Sequence, residues 1–466
     1  MNRLLVLISY LYQSAAAVAL IFAISHLVDS AAYTTFSLVA ALSQLISVLA
    51  FEWIQIAGTR FLAGAHAQER LRLRSSVYSA FALSALALVI AGPVALHLAA
   101  TTGTIAAFAL GAALAQGLAD LFMMIIRVDG RLALSAGLMI FRSTGILVMA
   151  ALAAWLYRSA EAVIAGMLIG QVLGCLAALA LDRSLARWSW RSTRRSDLAA
   201  FCRYGMQAAA ASVMHLSVTV LVRLLVVGRL GAASVESAGF LLAFDLLQRP
   251  FSVLMAALHM VTFPEVVAKY DRAPLAEAKD ATARLFEFFL CSTVVLLGGL
   301  IAFIPDVAWL FVPQAVLPAF IAVAPAVSLF AFFNTHLQGS GAIVVHLLKI
   351  THRLVVVAFG QLAVVPAIIW LALAAGQSVA MALLLASLAT AAWMLAVSGP
   401  TLRFGAYPRC SLGLIAIAGA AMIGALVWLP SSPTIWFVGK IALAAAITAL
   451  VAWRGDFLQM ARGRSA

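Results

Sequence analysis

The stretch LSVTVLVRLLVVGRLG, residues 216–231, sets Arg223 into a run of branched apolar side chains. Two more arginines are placed the same way: Arg142 in MIFRSTG, and Arg249 in FLLAFDLLQRPFSVLMA, where Asp245 stands four residues before it. A guanidinium presents a planar fork of donors that fits a phosphate or a carboxylate bidentately, and such bonds are strong where water is excluded. The four-residue spacing puts Asp245 and Arg249 on one helix face. Glu52, Asp120 and His215 also lie in apolar surroundings. Plainer roles stand beside these. Arg223 reads as a snorkelling cation or as an anion ligand, and Asp245 with Arg249 as a tie between helices or as part of a cationic site. Glu52 and Asp120 read as partners of loop arginines or as ion-coupling groups, and His215 as a packing histidine or a titrating one.

The elements that must position these groups follow from composition. Of 466 residues 65% are hydrophobic and 10% charged, and the mean hydropathy is +1.08. Soluble domains hold roughly 45–50% apolar residues, so the chain is an all-α, multi-pass membrane protein. Apolar runs of spanning length, about 20 residues each, fall at 6–26, 34–57, 77–98, 105–126, 132–156, 162–181, 204–228, 238–262, 285–304, 317–337, 354–374, 379–398, 411–429 and 434–453. They predict about fourteen transmembrane helices. The runs are continuous rather than alternating, which argues against the strands of a barrel. The first outlasts a signal-peptide core and is read as retained.

Of the 30 Lys and Arg, only Arg158 and Arg229 fall in loops of the outer side, which by the positive-inside rule puts both termini in the cytoplasm. Trp155, Trp309, Trp370, Trp428 and Trp436 fall at the outer border, and Trp53, Trp188, Trp190, Trp393 and Trp453 towards the inner one. Lys440 reads as snorkelling outward beside Trp436. The net charge of +13 is thereby spent on topology and on anionic headgroups, not on nucleic acid. The implied location is a bacterial inner or plasma membrane. From the rise per residue, Arg223 lies about 8 Å and Asp245 about 10 Å from the outer surface, so the two are expected to meet. Arg249 comes about 16 Å deep, and Arg142 about 15 Å from the inner surface. An unpaired charge at such depth costs at least about 2.5 kcal/mol, so these side chains must face protein or water.

No P-loop, H-E-x-x-H or deaminase-type spacing occurs, and the outer connections are too short for a catalytic domain. Neither an enzyme nor a metal site nor a cofactor is expected. Cys175, Cys202, Cys291 and Cys410, in helices or at inner ends, outline no disulfide framework. FSLVAALSQLISVLA from Phe36 aligns with FLLAFDLLQRPFSVLMA from Phe240, with Gln44 over Gln248. This is either a faint repeat or a chance match of apolar sequence. Read as a repeat, it divides the chain into an N-terminal six-helix bundle (1–181), a basic cytoplasmic linker (182–203), a C-terminal six-helix bundle (204–400) and two extra helices with a cytoplasmic tail (401–466). Parallel repeats of this kind build transporters with the substrate site between the halves.

Three stretches carry a family likeness: SHLVDSAAYTTFSLVAALSQLISVLAFEWIQIAGTRFLAG, FCRYGMQAAAASVMHLSVTVLVRLLVVGRLGAASVESAGFLLAFDLL and HMVTFPEVVAKY. Together they resemble the polysaccharide flippase (Wzx-type, O-antigen or exopolysaccharide transporter) branch of the MATE-like MOP exporter superfamily. In that branch a tyrosine-glycine opens helix 7, a basic residue stands near its outer end and a proline-acid pair closes helix 8. Tyr204, Gly205, Arg223, Gly228, Gly231, Pro264 and Glu265 fill those places. Many relatives carry an acid just before that basic residue, where this chain has Val222, so Arg223 needs a partner from elsewhere.

The resemblance implies alternating-access transfer of an anionic polyprenyl diphosphate-linked oligosaccharide to the outer leaflet. The diphosphate would rest on Arg142, Arg249 and Arg223, with Asp245 as supporting ion pair and Glu52, Asp120 or His215 as coupling groups. It implies membrane lipids, a polysaccharide polymerase and other assembly proteins as partners, no nucleic acid, and a monomer. A cation-coupled drug or metabolite antiporter of the same superfamily is the alternative. Such exporters typically place an acid in helix 1, where LISYLYQSAAAVALIFAIS has none.

Overall fold

The computed structural model describes all residues except 1, 64–65, 99–102, 349, 351, 406–417, 425–433 and 455–466. Described residues form helices and connections without a β-strand, as continuous apolar runs require when every backbone polar group must be satisfied within its own segment. Among the described residues twelve helices are long and apolar enough to cross a membrane, and Trp436–Val451 is a shorter apolar helix. The chain is thus a multi-pass membrane protein. Of the expected span 411–429, only 418–424 is described, and it is helical. Cys410 also lies outside the described residues.

Packing divides the chain into two units, 1–238 and 239–466. The first holds α1 (Asn2–Leu27), α2 (Ser30–Ala63), α3 (Ala67–Leu98), α4 (Gly103–Val128), α5 (Leu132–Tyr157), α6 (Ala160–Leu181) and α7 (Arg195–Leu230). Its tightest joint is α5 on α6, and the reason is local. Gly166 and Gly170, one turn apart on α6, press on the α5 backbone. A Cβ on Gly166 would sit 2.5 Å from the Met149 carbonyl oxygen, and one on Gly170 2.5 Å from Ile146 Cα. Small residues at four-residue spacing let helices approach in lipid, where no hydrophobic effect drives them together.

Helix 7 was expected to open the second bundle from residue 204. Instead it starts at Arg195 and runs antiparallel along α2, within the first unit. Tyr204-Gly205 therefore lies inside the helix, and the glycine serves close approach: a Cβ there would stand 2.1 Å from the Trp53 carbonyl oxygen of α2. Residues 182–194 belong to the segment expected as a basic cytoplasmic linker. They make two short 3-10 turns that are tied to α3 by hydrogen bonds.

The second unit holds α8 (Val235–Arg272, from Gly239 on), α9 (Leu275–Phe311), α10 (Leu317–Gln338), α11 (Ser340–Leu347), α12 (His352–Ala374), α13 (Val379–Val397), α14 (Gly399–Phe404), the described stretch of α15 (418–424) and α16 (Thr434–Arg454). Here α13 packs against α10 and α12, and α9 against α10 and α16. The interior carries two polar pairs: Gln361 Nε2 donates to Asn334 Oδ1 at 2.7 Å, and Thr293 Oγ1 lies 2.6 Å from His336 Nε2. Lys440 corrects its expectation. It does not snorkel; it is 1% exposed and donates at 2.8 Å to Asp306 Oδ2 of α9.

Candidate functional site

A polar cavity of about 550 Å³ opens in the first unit between α2, α4 and α7. From α2 it takes Ser47, Glu52, Gln55, Thr59 and Arg60, and from α4 Gln116, Asp120 and Arg127. Glu52, Gln55 and Thr59 follow at steps of three and four residues, and Gln116, Asp120 and Arg127 at steps of four and seven, which places each series along one face of its helix, with Arg60 beside Thr59. Tyr204 of α7 completes the lining, its ring edge-on to Phe61 at 5.8 Å.

The charges are ordered by depth. Arg60 and Arg127 lie near the same ends of their helices, while Glu52 is eight residues and Asp120 seven residues further in. At the helical rise this separates bases from acids by about 10–12 Å. Arg127 Nη1 donates to the Tyr10 hydroxyl of α1 at 3.0 Å, and Ser212 of α7 hydrogen-bonds the Glu52 carboxylate. The mouth is cationic, and the interior presents carboxylates.

Arg142 stands behind this wall rather than in it. It is 6% exposed, and its Nη1 donates to Asp120 Oδ1 at 2.6 Å. Its Nε has no hydrogen-bond partner among the described residues. Gly174 of α6 makes room for the stem: a Cβ there would lie 2.8 Å from Arg142 Cγ. Asp120 thus pairs with an intramembrane arginine, not with a loop arginine. The cavity is mixed in sign, and Arg142 is held behind it by a carboxylate of the interior wall.

The remaining predicted residues lie elsewhere. Arg223 donates from Nη1 to Ser37 Oγ of α2 at 3.2 Å, away from this cavity's lining. His215 is half-buried on α7, one turn beyond Ser212, and is not part of the lining. Asp245 and Arg249, both half-buried, occupy successive turns of α8 in the second unit. Arg60, Arg127, Gln55 and Gln116 went unrecognised as cavity groups, because arginines near helix ends read as topology signals. The polar spacing along 47–60 and 116–127 is the signal that carries them.

No family model and no curated protein matches the chain. Solved structures do. A lipid II flippase MurJ in an inward closed conformation superposes at a TM-score of 0.69 with 14% identity, over 98% of this chain and 99% of that one. A multidrug resistance MATE family transporter of the MOP superfamily matches inward-facing at 0.64, with 12% identity over 84% of this chain and 96% of that one. An outward-facing MATE family transporter matches at 0.55, with 11% identity over 86% and 95%. At such identities the likeness shows the fold: the chain has the polytopic architecture seen in MurJ and the MATE transporters.

Proposed function

We propose that this chain is a flippase that moves an anionic polyprenyl diphosphate-linked oligosaccharide from the cytoplasmic to the outer leaflet by alternating access, for surface polysaccharide assembly. The observation that carries the reading is the cavity with Arg60 and Arg127 at its mouth and Arg142 behind Asp120. A diphosphate entering from the basic end meets two guanidinium forks first. Deeper in, it competes with the Asp120 carboxylate for Arg142, whose fork suits either anion. In this reading Arg249 and Arg223 are further diphosphate ligands, Asp245 supports Arg249 one turn away, and the prenyl tail stays in lipid. Asp120, Glu52 and His215 are coupling candidates, because release of Arg142 leaves Asp120 in need of a proton or another cation. A membrane potential negative inside favours export of an anion by about 2.3 kcal/mol per charge per 100 mV. Membrane lipids and a polysaccharide polymerase with its assembly proteins are the partners, and the chain acts as a monomer. The fold shared with MurJ, a lipid II flippase, supports a lipid-linked substrate.

Cation-coupled drug or metabolite antiport is the second reading, favoured by the two carboxylates, Glu52 and Asp120, on the cavity wall. The test separates them. Cells expressing Arg142→Ala, Arg249→Ala or Arg60→Ala are assayed for inner-leaflet accumulation of lipid-linked oligosaccharide, with membrane protein quantified alongside. Flippase action predicts accumulation at equal abundance, with partial rescue by Lys, which keeps the charge and loses the fork. Normal glycan export by all three, together with drug sensitivity on Glu52→Gln, selects the antiporter.

A further inference from the structure

We propose that the strap between α6 and α7, residues 183–195, is a built docking site for anionic phospholipid headgroups of the adjoining leaflet. The strap is held in one shape. Asp182 is gripped by Arg131 and accepts from Ser184 N at 3.0 Å. Tyr78 of α3 donates its hydroxyl to the Leu185 carbonyl at 2.7 Å, and Leu185 is 2% exposed. Further on, Ser79 Oγ lies 2.7 Å from Thr193 Oγ1 and accepts from Trp188 Nε1 at 3.2 Å. Asp197, just inside α7, is taken by Arg72 at 3.4 Å and Ser76 at 3.2 Å of α3.

These ties use the local acids and leave the bases. Asp182 and Asp197 both turn inward to the first unit. Arg183, Arg187, Arg191, Arg194 and Arg195 are all exposed, and none has a hydrogen-bond or ion-pair partner among the described residues. Among them stand Trp188 and Trp190, 47% and 54% exposed, edge-on to each other at 6.0 Å. The indole of Trp188 is pinned to Ser79, ten residues beyond Glu69, where the apolar span of α3 begins. Ser79 is also only two residues into the continuous apolar run 77–98, about 3 Å along the helix, and so lies at the membrane border.

Indoles held at that border favour the interfacial layer, and guanidinium forks beside them match phosphodiester oxygens. An acidic protein or a nucleic acid would satisfy the arginines but gives no account of two exposed indoles at the edge of a span. An anionic bilayer satisfies both. Each juxtamembrane basic residue near an anionic surface is worth about fivefold in affinity for it, so removing three should be readily measured.

The test uses the full chain in nanodiscs of phosphatidylcholine with or without phosphatidylglycerol, read by hydrogen–deuterium exchange over 183–195. Wild type should gain several-fold protection with phosphatidylglycerol, and lose it in high salt. R187Q/R191Q/R194Q should lose most of that gain, and R187K/R191K/R194K should keep much of it. The wild-type arm decides by itself if the glutamine variant does not fold: equal exchange in both lipids overturns the proposal. So does an equal gain in the glutamine variant. Inorganic diphosphate added to neutral nanodiscs is the third arm, and protection there as large as with phosphatidylglycerol would make this a free-anion site and overturn the lipid assignment.

Discussion

Lys440 Nζ lies 2.8 Å from Asp306 Oδ2, with the two side chains 0% and 2% exposed. The pair joins α16 to α9, and Lys440 also donates to the Ala302 carbonyl at 3.3 Å. Neither charge has water to fall back on. Breaking a buried pair by removing one partner costs about 3–5 kcal/mol, because the other charge is left uncompensated, whereas replacing both by apolar groups is often neutral. Lys440→Met and Asp306→Leu should each lower thermal stability in detergent by a wide margin, and the double variant should recover most of it. A double variant as unstable as the sum of the singles would show that the pair is not what joins these helices.

The Asp120–Arg142 pair predicts an asymmetry. Asp120 is 25% exposed to the cavity, so water can solvate it if Arg142 is lost, while Arg142 is only 7% exposed at its side chain. Asp120→Asn should therefore destabilise by about 3–5 kcal/mol, and Arg142→Met by less, about 1–3 kcal/mol. Unfolding of the purified variants in detergent ranks them, and the reverse order would place the buried charge at Asp120.

Gly174→Val should displace Arg142 without touching either charge, since a Cβ at 174 already meets the Arg142 stem at 2.8 Å. Under the flippase reading it should reduce glycan export as Arg142→Ala does. Gly166→Val, against the α5 backbone, should instead lower membrane abundance. Comparing export per folded molecule separates the two.

The strap carries a pH dependence. Burial opposes ionisation of Asp182, but the hydrogen bonds from Ser184 and the charges of Arg131 and Arg74 outweigh it and hold its carboxyl below the usual range. A depressed folded value means that its contribution is present above the unfolded value and is lost as pH falls through the folded one. Exchange over 183–187 should thus stay slow from neutral pH to mild acid and rise only in stronger acid. Asp182→Asn should exchange fast already at neutral pH.

Topology gives the last prediction. Cysteines at Ser192 and Ala273 should react with impermeant thiol reagents only from the cytoplasm, and one at Ala232 only from outside. External labelling at Ser192 would invert the orientation.

What the sequence alone determined was whatever depends on each helix separately. Continuous apolar runs at 132–156 and 162–181 became α5 and α6 with nearly the same bounds, because in lipid a segment must satisfy its own backbone and its length is set by bilayer thickness. Arg142, Glu52 and Asp120 stood out because any charge in such a run is costly. What only the tertiary structure decided was partnership. Lys440 sits three residues before Leu443 on an apolar run either way; that α9 brings Asp306 to it depends on how two helices distant in sequence pack. Likewise α7 lies on α2 because Gly205 lets the backbones touch, a contact no periodicity within α7 reveals. Arg60 and Arg127 look like loop charges until α2 and α4 turn their polar faces towards one cavity. Charge and depth can be read along one chain segment, but whether an arginine is free for a substrate or already held by Asp120 is a relation between two helices, fixed by which faces pack and which stay open.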